Sequence, residues 1–191
     1  MLIILLRRAL SAPLGQLESC YATGNVSLHS SSSETQFVYA GGFAGCIDLF
    51  DGSTVQGCFK GCMSSGDVTV TASDSESPMV GGFIGNGGQS PVLSITNSYS
   101  TVDVTATNGV NVLGGGFVGF GAVTAENCYS LGNVTSKNGS SVAWAFGFSA
   151  WTTSGASFTN CYALGEAMEG DTHAATFLNG DYPSDCSYYE G

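Results

Sequence analysis

Seven cysteines, two histidines and a few carboxylates are the residues of this chain whose types suit chemistry. The cysteines are Cys20, Cys46, Cys58, Cys62, Cys128, Cys161 and Cys186. Their number is odd, so at least one thiol lacks an intramolecular partner. Cys58 and Cys62 form a C-x3-C pair with no companion His/Cys pair at zinc-finger spacing, and the C-x2-C redox motif is absent. His29 lies in the serine-rich stretch 27–33 and His173 in the acidic tail region, and both read as solvated loop residues. Neither H-E-x-x-H nor G-x-S-x-G occurs, so zinc-peptidase and nucleophile-elbow chemistry have no motif to rest on.

Among the carboxylates, Asp67 and Asp103 hold equivalent positions of a repeat and would lie on adjacent coils of a stacked fold. Glycoside hydrolysis needs two carboxyl groups at about 5–9.5 Å. Repetition alone predicts that equivalence, however, and Asn25 and Asn133 hold the same place, where either side chain caps a turn. A lyase would also need a base beside the acidified carbon, and Lys60 and Lys137 are the only lysines. The calcium nonapeptide G-G-x-G-x-D is not matched, because Gly41 to Asp48 has the wrong spacing and a Phe in the loop, which leaves only incidental calcium binding by acidic loops. No catalytic, cofactor-binding or metal-ligating residue is assigned, and the chain reads as a non-enzyme. The sequons at Asn25, Asn133 and Asn138 matter only in a glycosylating secretory pathway and otherwise read as turn composition.

Composition narrows the classes further. The 191 residues carry 4 Lys+Arg against 15 Asp+Glu, for a net charge of −11. Phosphate neutralisation needs clustered basic residues, so nucleic-acid binding is excluded. Charged residues make up 10% and hydrophobic ones 43%, which is too apolar for disorder and too sparsely charged for ordinary surface helices. The first residues, Met1 to Arg8, place their charge after the apolar run, unlike a secretory signal, and the run is too short to span a bilayer. Residues 1–16 are expected to be a poorly ordered leader or the cut edge of a longer chain.

What must position these residues is an internal repeat. The block Cys20-Tyr21-Ala22-Thr23-Gly24-Asn25-Val26 recurs from Cys62, Ser98, Cys128 and, in degenerate form, Cys161, at intervals of about 30–42 residues. A second block alternates with it: Gly41-Gly42-Phe43-Ala44-Gly45, Gly81-Gly82-Phe83-Ile84-Gly85 and Gly115-Gly116-Phe117-Val118-Gly119, then the weaker Phe146 to Ala150 and an eroded Ala175 to Asn179. Glycine pairs inside apolar blocks and abundant Val, Thr and Ser disfavour helix. We read the fold as all-β, a right-handed parallel β-helix-like solenoid of about five coils. In such a stack Cys128 and Cys161 are buried neighbours, and Phe43, Phe83, Phe117 and Phe148 fill the interior. Asn97, Asn127 and Asn160 are expected to form an inward asparagine ladder. The variable connections Ser27 to Gln36, Thr71 to Pro78, Thr105 to Asn111 and Thr135 to Ser141 should be loops aligned on one side, with Phe177 near a frayed end.

The alternation of G-G-F-x-G with N-C-Y-S-x-G-N-V, clearest in Gly115 to Gly119 and Asn127 to Val134, resembles the GLUG-motif repeats of bacterial surface proteins. Phe stands where the family motif has Leu, and the resemblance runs from Leu17 to about Gly170. It implies a secreted or surface-attached, adhesin-like chain, although the motif also accompanies the catalytic part of immunoglobulin A-cleaving metallopeptidases. The sequence departs from the pattern where Phe146 and Ala150 replace glycines, and residues 171–191 then read as a terminal cap or a further eroded repeat.

The function expected is a non-catalytic secreted or cell-surface repeat module, adhesive or stalk-like, presenting stacked loops to a host or matrix protein or a carbohydrate. Membrane insertion and nucleic acid are not expected, and the chain reads as part of a longer one. The alternatives are a glycan-active β-helix enzyme of the lyase or hydrolase type, or an accessory segment of a larger secreted peptidase.

Overall fold

Runs rich in Val, Thr, Ser and aromatic residues form short strands, as their β-branched and aromatic content favours. The computed structural model describes residues 16–47, 58–89, 92–174, 177–178 and 185–188. The expected leader lies outside them except for Gln16, as do Ala175, Thr176 and Asn179 of the eroded fifth block. No helix among the described residues is long and apolar enough to cross a membrane.

The chain winds through four faces in turn. Face one takes Leu17–Glu18, Cys58–Lys60, Leu93–Thr96, Val123–Glu126 and Ser157–Thr159, and face two begins with Tyr21–Thr23 and Met63–Ser65. Face three carries Val26–His29, Asp67–Thr71, Asp103–Gly115 and Val134–Phe146, and face four Ala44–Cys46, Ile84–Asn86, Val118–Gly121 and Ser149–Thr152. Adjacent coils pair parallel, with like on like: Tyr99 on Tyr129, Val104 on Val134, Ile84 on Val118. The fold is thus the expected all-β solenoid. Its complete coils are fewer than the five expected, because the last one meets face four, among the described residues, only at the isolated bridge between Ser149 and Leu178. Thr172–His173 turns back to pair antiparallel with Met168–Glu169.

One interior column is aromatic. Phe43, Phe83, Phe117, Phe148 and Phe177 stack with ring centroids 4.7, 4.8, 4.8 and 4.7 Å apart, the spacing that paired strands impose. Phe177 is as fully buried as Phe117, each at 0% exposure, so the frayed end expected there is not found. Phe158 closes against both Phe148 and Phe177 edge to face, which explains the order at that end.

Face three folds back on itself and buries a second core of Val68, Val70, Val80, Val104 and Val112. In the first two coils the return strands are Phe37–Gly41 and Ser77–Gly81, reached through 30–36 and 72–76. In the next two the turn is made inside the long strands at Asn108-Gly109 and Asn138-Gly139, with Asn108 at φ 62°, Gly109 at 135° and Asn138 at 59°. Thr105 to Asn111 and Thr135 to Ser141, expected as loops, are therefore paired strand with a tight Asn-Gly turn. All four segments share one side of the solenoid, as the register from Val26 through Val68 and Val104 to Val134 requires.

The glycine blocks form the corner into face four. A Cβ on Gly115 would lie 2.0 Å from the Val118 carbonyl oxygen, and one on Gly116 2.1 Å from that of Gly147. The backbone would have to shift to relieve such contacts, so Gly115 and Gly116 leave no room for a side chain in their coil, although the next coil turns this corner with Phe146 and Gly147.

Candidate functional site

The corner between faces one and two corrects the asparagine reading. Asn97, Asn127 and Asn160 have φ of 51°, 53° and 49°. The left-handed conformation interrupts the strand alternation and turns these side chains outward, where all three are exposed. A ladder does form on the surface: Asn127 Nδ2 donates to Asn97 Oδ1 at 3.2 Å, and Asn160 Nδ2 donates to Asn127 Oδ1 at 2.6 Å. Ser19 and Gly61 hold the same corner at φ 55° and 63°.

Immediately after this corner the strand alternation places thiols inward and rings outward. The Cys20 and Cys62 carbonyls accept from Met63 N and Tyr99 N, and the Cys128 and Cys161 carbonyls from Tyr162 N and Ser187 N. These links align Cys20, Cys62, Ser98, Cys128, Cys161 and Cys186 in one column. Cys128 is 0% and Cys161 1% exposed, as the register predicted. Each thiol donates to the carbonyl two residues earlier, Cys128 to Glu126 at 3.3 Å and Cys161 to Thr159 at 3.3 Å. Tyr99, Tyr129 and Tyr162 stack outside at 4.8 and 5.0 Å with planes within 5°. Burial and the two neighbouring rings push the Tyr129 phenol up from its ordinary pKa. Both faces of Tyr129 are covered by its neighbours, so it offers a ligand its edge and hydroxyl only, whereas Tyr21 in the same row is largely exposed.

The carboxylates Asp67 and Asp103 are brought into register on neighbouring coils, both exposed. Their row serves the next corner: Asn25 Oδ1 accepts from Asp67 N at 3.0 Å, Asp103 Oδ1 from Asn133 N at 2.7 Å, and Asn133 Oδ1 from Glu166 N at 3.0 Å. The lysines are not with them in one constellation. Lys60 sits on face one in an ion pair with Glu18 at 2.9 Å, which raises its pKa through the hydrogen bond and the charge of that carboxylate. Lys137 is exposed, four residues beyond Asn133 and in register with Thr107. His29 ends a strand and His173 lies in the antiparallel turn-back, both exposed. Among the described residues no group of three or more His, Cys, Asp or Glu is arranged to hold a metal ion.

Two features had no sequence signal. The first is an aromatic surface on the return half of face three, where Tyr39, Met79, Leu113 and Trp144 are in register. Met79, Leu113, Phe146 and Ala150 make a third small core, against which Tyr39, Phe120 and Trp144 pack half-buried. Trp144 lies on Trp151 with centroids 5.2 Å apart and planes within 12°, and Trp151 is 39% exposed. Phe37, stacked on Tyr39 at 6.2 Å, is 62% exposed.

The second is Glu76, 1% exposed in a serine-rich turn. Its Oε1 accepts from Ser30 Oγ and its Oε2 from Ser73 N at 2.9 Å. Burial pushes this carboxyl up, but the hydrogen bonds from Ser30 and Ser73, helped by His29, outweigh it and hold the pKa below the ordinary value. Ser73 Oγ and Ser75 Oγ both donate to the Ser32 carbonyl, so this cluster ties turn 72–76 to turn 30–36. No family model matches the chain, and neither a curated protein nor a solved structure is significantly similar to it.

Proposed function

We propose that the chain is a non-catalytic repeat module of a secreted or cell-surface protein, adhesive or stalk-like, of the GLUG-motif kind found in bacteria. One observation carries this reading: the side chains that recur from coil to coil are consumed by stacking. The phenylalanines and cysteines fill the interior, the asparagines bond one another along a corner, and the Asp103 carboxylate caps the Asn133 amide. What recurs is scaffold. Among the described residues the surface left over carries exposed aromatic rings, Phe37 and Trp151 on one area and Tyr21 on another face.

Exposed indole and phenyl rings beside uncharged polar groups suit contact with a protein or a carbohydrate. The charge of −11 disfavours polyanions. Each such contact is weak, and repetition in a longer chain supplies avidity. The test is binding of the chain to immobilised glycans and matrix proteins, wild type against Trp151→Ala. The adhesive role requires saturable, salt-insensitive binding that Trp151→Ala weakens by about tenfold. Salt-sensitive capture by heparin or DNA would overturn the reading, and no binding across the panel would overturn the adhesive role and leave the stalk.

A further inference from the structure

We infer that Cys20 and Cys62 form a modification site, at which a diffusible peroxide closes a disulfide between the first and second coils. The inference is independent of any ligand and rests on the inward column. Met63 N donates to the Cys20 carbonyl at 2.9 Å, and Tyr21 is in register with Met63, so the two cysteines lie directly above one another. Paired strands are about 4.8 Å apart, inside the span of about 4.4–6.8 Å between Cα atoms that a disulfide bridges.

Cys20 Sγ donates to the Glu18 carbonyl at 3.4 Å, and Cys62 Sγ reaches across to the Leu17 carbonyl of the first coil at 3.4 Å, so both sulfurs lie beside the same short strand. Cys62 is 0% exposed, whereas Cys20 is half-buried and within reach of solvent. Ser98 interrupts the column after Cys62, its Oγ accepting from Cys62 N at 3.0 Å and donating to the Thr96 carbonyl at 2.9 Å. The hydroxyl insulates this pair from the trio Cys128, Cys161 and Cys186, so the pair reacts by itself.

The chemistry balances in two steps. The Cys20 thiolate attacks hydrogen peroxide, breaking the O–O bond; the sulfur is oxidised to sulfenic acid, the peroxide is reduced, and the released hydroxide takes a proton to leave as water. Cys62 then attacks the Cys20 sulfur, the S–O bond breaks, the S–S bond forms, and the Cys62 proton departs with hydroxide as a second water. Burial holds the Cys62 thiol pKa above its ordinary value, so Cys20 is the thiol that meets peroxide, and Cys62 gives up its proton to attack as the thiolate. The product clips the first coil, whose strands Leu17–Glu18 and Tyr21–Thr23 are largely exposed, to the better-buried second coil.

The full-length chain, reduced and then treated with hydrogen peroxide, is quenched, alkylated and mapped by mass spectrometry. Peptides linked through Cys20 and Cys62 should appear first, at least about tenfold faster folded than in urea, with Cys128 and Cys161 still reduced. The linked chain should also melt at a higher temperature. In Cys62→Ser, which the column accommodates as it does Ser98, Cys20 should accumulate as sulfenic and sulfinic acid. Oxidation of wild-type Cys20 to sulfinic acid with Cys62 still alkylatable would overturn the inference. So would a link that forms no faster than in urea, or one between Cys128 and Cys161 that precedes it.

Discussion

Phe146 stands in register with Gly115, so that a phenyl ring in one coil occupies the place of a bare Cα in the coil before. Its ring packs edge to face on Trp144 at 6.5 Å, and Ala150 similarly succeeds Gly119. The loss of glycine at these positions therefore builds the third core, and with it the seat of the exposed indole.

The earlier corners do not tolerate such a change. Gly115→Ala would set a methyl 2.0 Å from the Val118 oxygen, whereas Gly45→Ala would meet its nearest atom, the Tyr39 oxygen, at 3.3 Å. The first should cost about 3 kcal/mol or more and the second about 1 kcal/mol. Urea denaturation of the two variants measures the difference, and equal midpoints would refute the corner described.

Phe117→Ala and Phe177→Ala should each cost about 3–5 kcal/mol, because both rings are fully buried in the same stack. Thermal melts of the pair check this. A negligible loss at Phe177 would restore the frayed end that the sequence suggested.

Glu76 makes stability depend on acid. Its native pKa lies below the ordinary 4.5, so the unfolded chain binds the proton more readily. The stabilisation is present above that ordinary value and is lost as pH falls through the native one. Glu76→Gln should flatten the acid limb of stability against pH, while Glu76→Ala should cost about 1–3 kcal/mol at neutral pH by stranding its buried donors. Parallel acid limbs for wild type and Glu76→Gln would contradict the assignment.

At the Asn127 corner, φ of 53° is tolerable for Asn or Gly and strained for a β-branched residue. Asn127→Val should lose about 2 kcal/mol and Asn127→Gly about 1 kcal/mol or less. Circular-dichroism melts of both variants give the ordering, and the reverse order would discredit the left-handed corner.

How legible this molecule was follows from where alternation holds. The phenylalanine stack and the buried Cys128 and Cys161 could be read directly, because equivalent positions in successive coils stack like on like. The asparagine ladder was legible in partners but not in side, since one positive φ resets the inward and outward parity that a strand pattern assumes. Thr105 to Asn111 looked like loop because a two-residue Asn-Gly turn inside one paired strand leaves no break in the composition. Trp144 and Trp151 meet only once the chain has turned the corner through Phe146 and Ala150, and Glu76 lies in a serine-rich run that reads as solvated.

The central claim is that the recurring polar residues are scaffold rather than catalyst. The most direct measurement follows bound mass and new chain ends together on one panel of soluble and immobilised neutral and acidic polysaccharides. The account predicts retention without new reducing or unsaturated ends, unchanged in Asp67→Asn and Asp103→Asn. New ends released by the wild type and abolished by either substitution would contradict it.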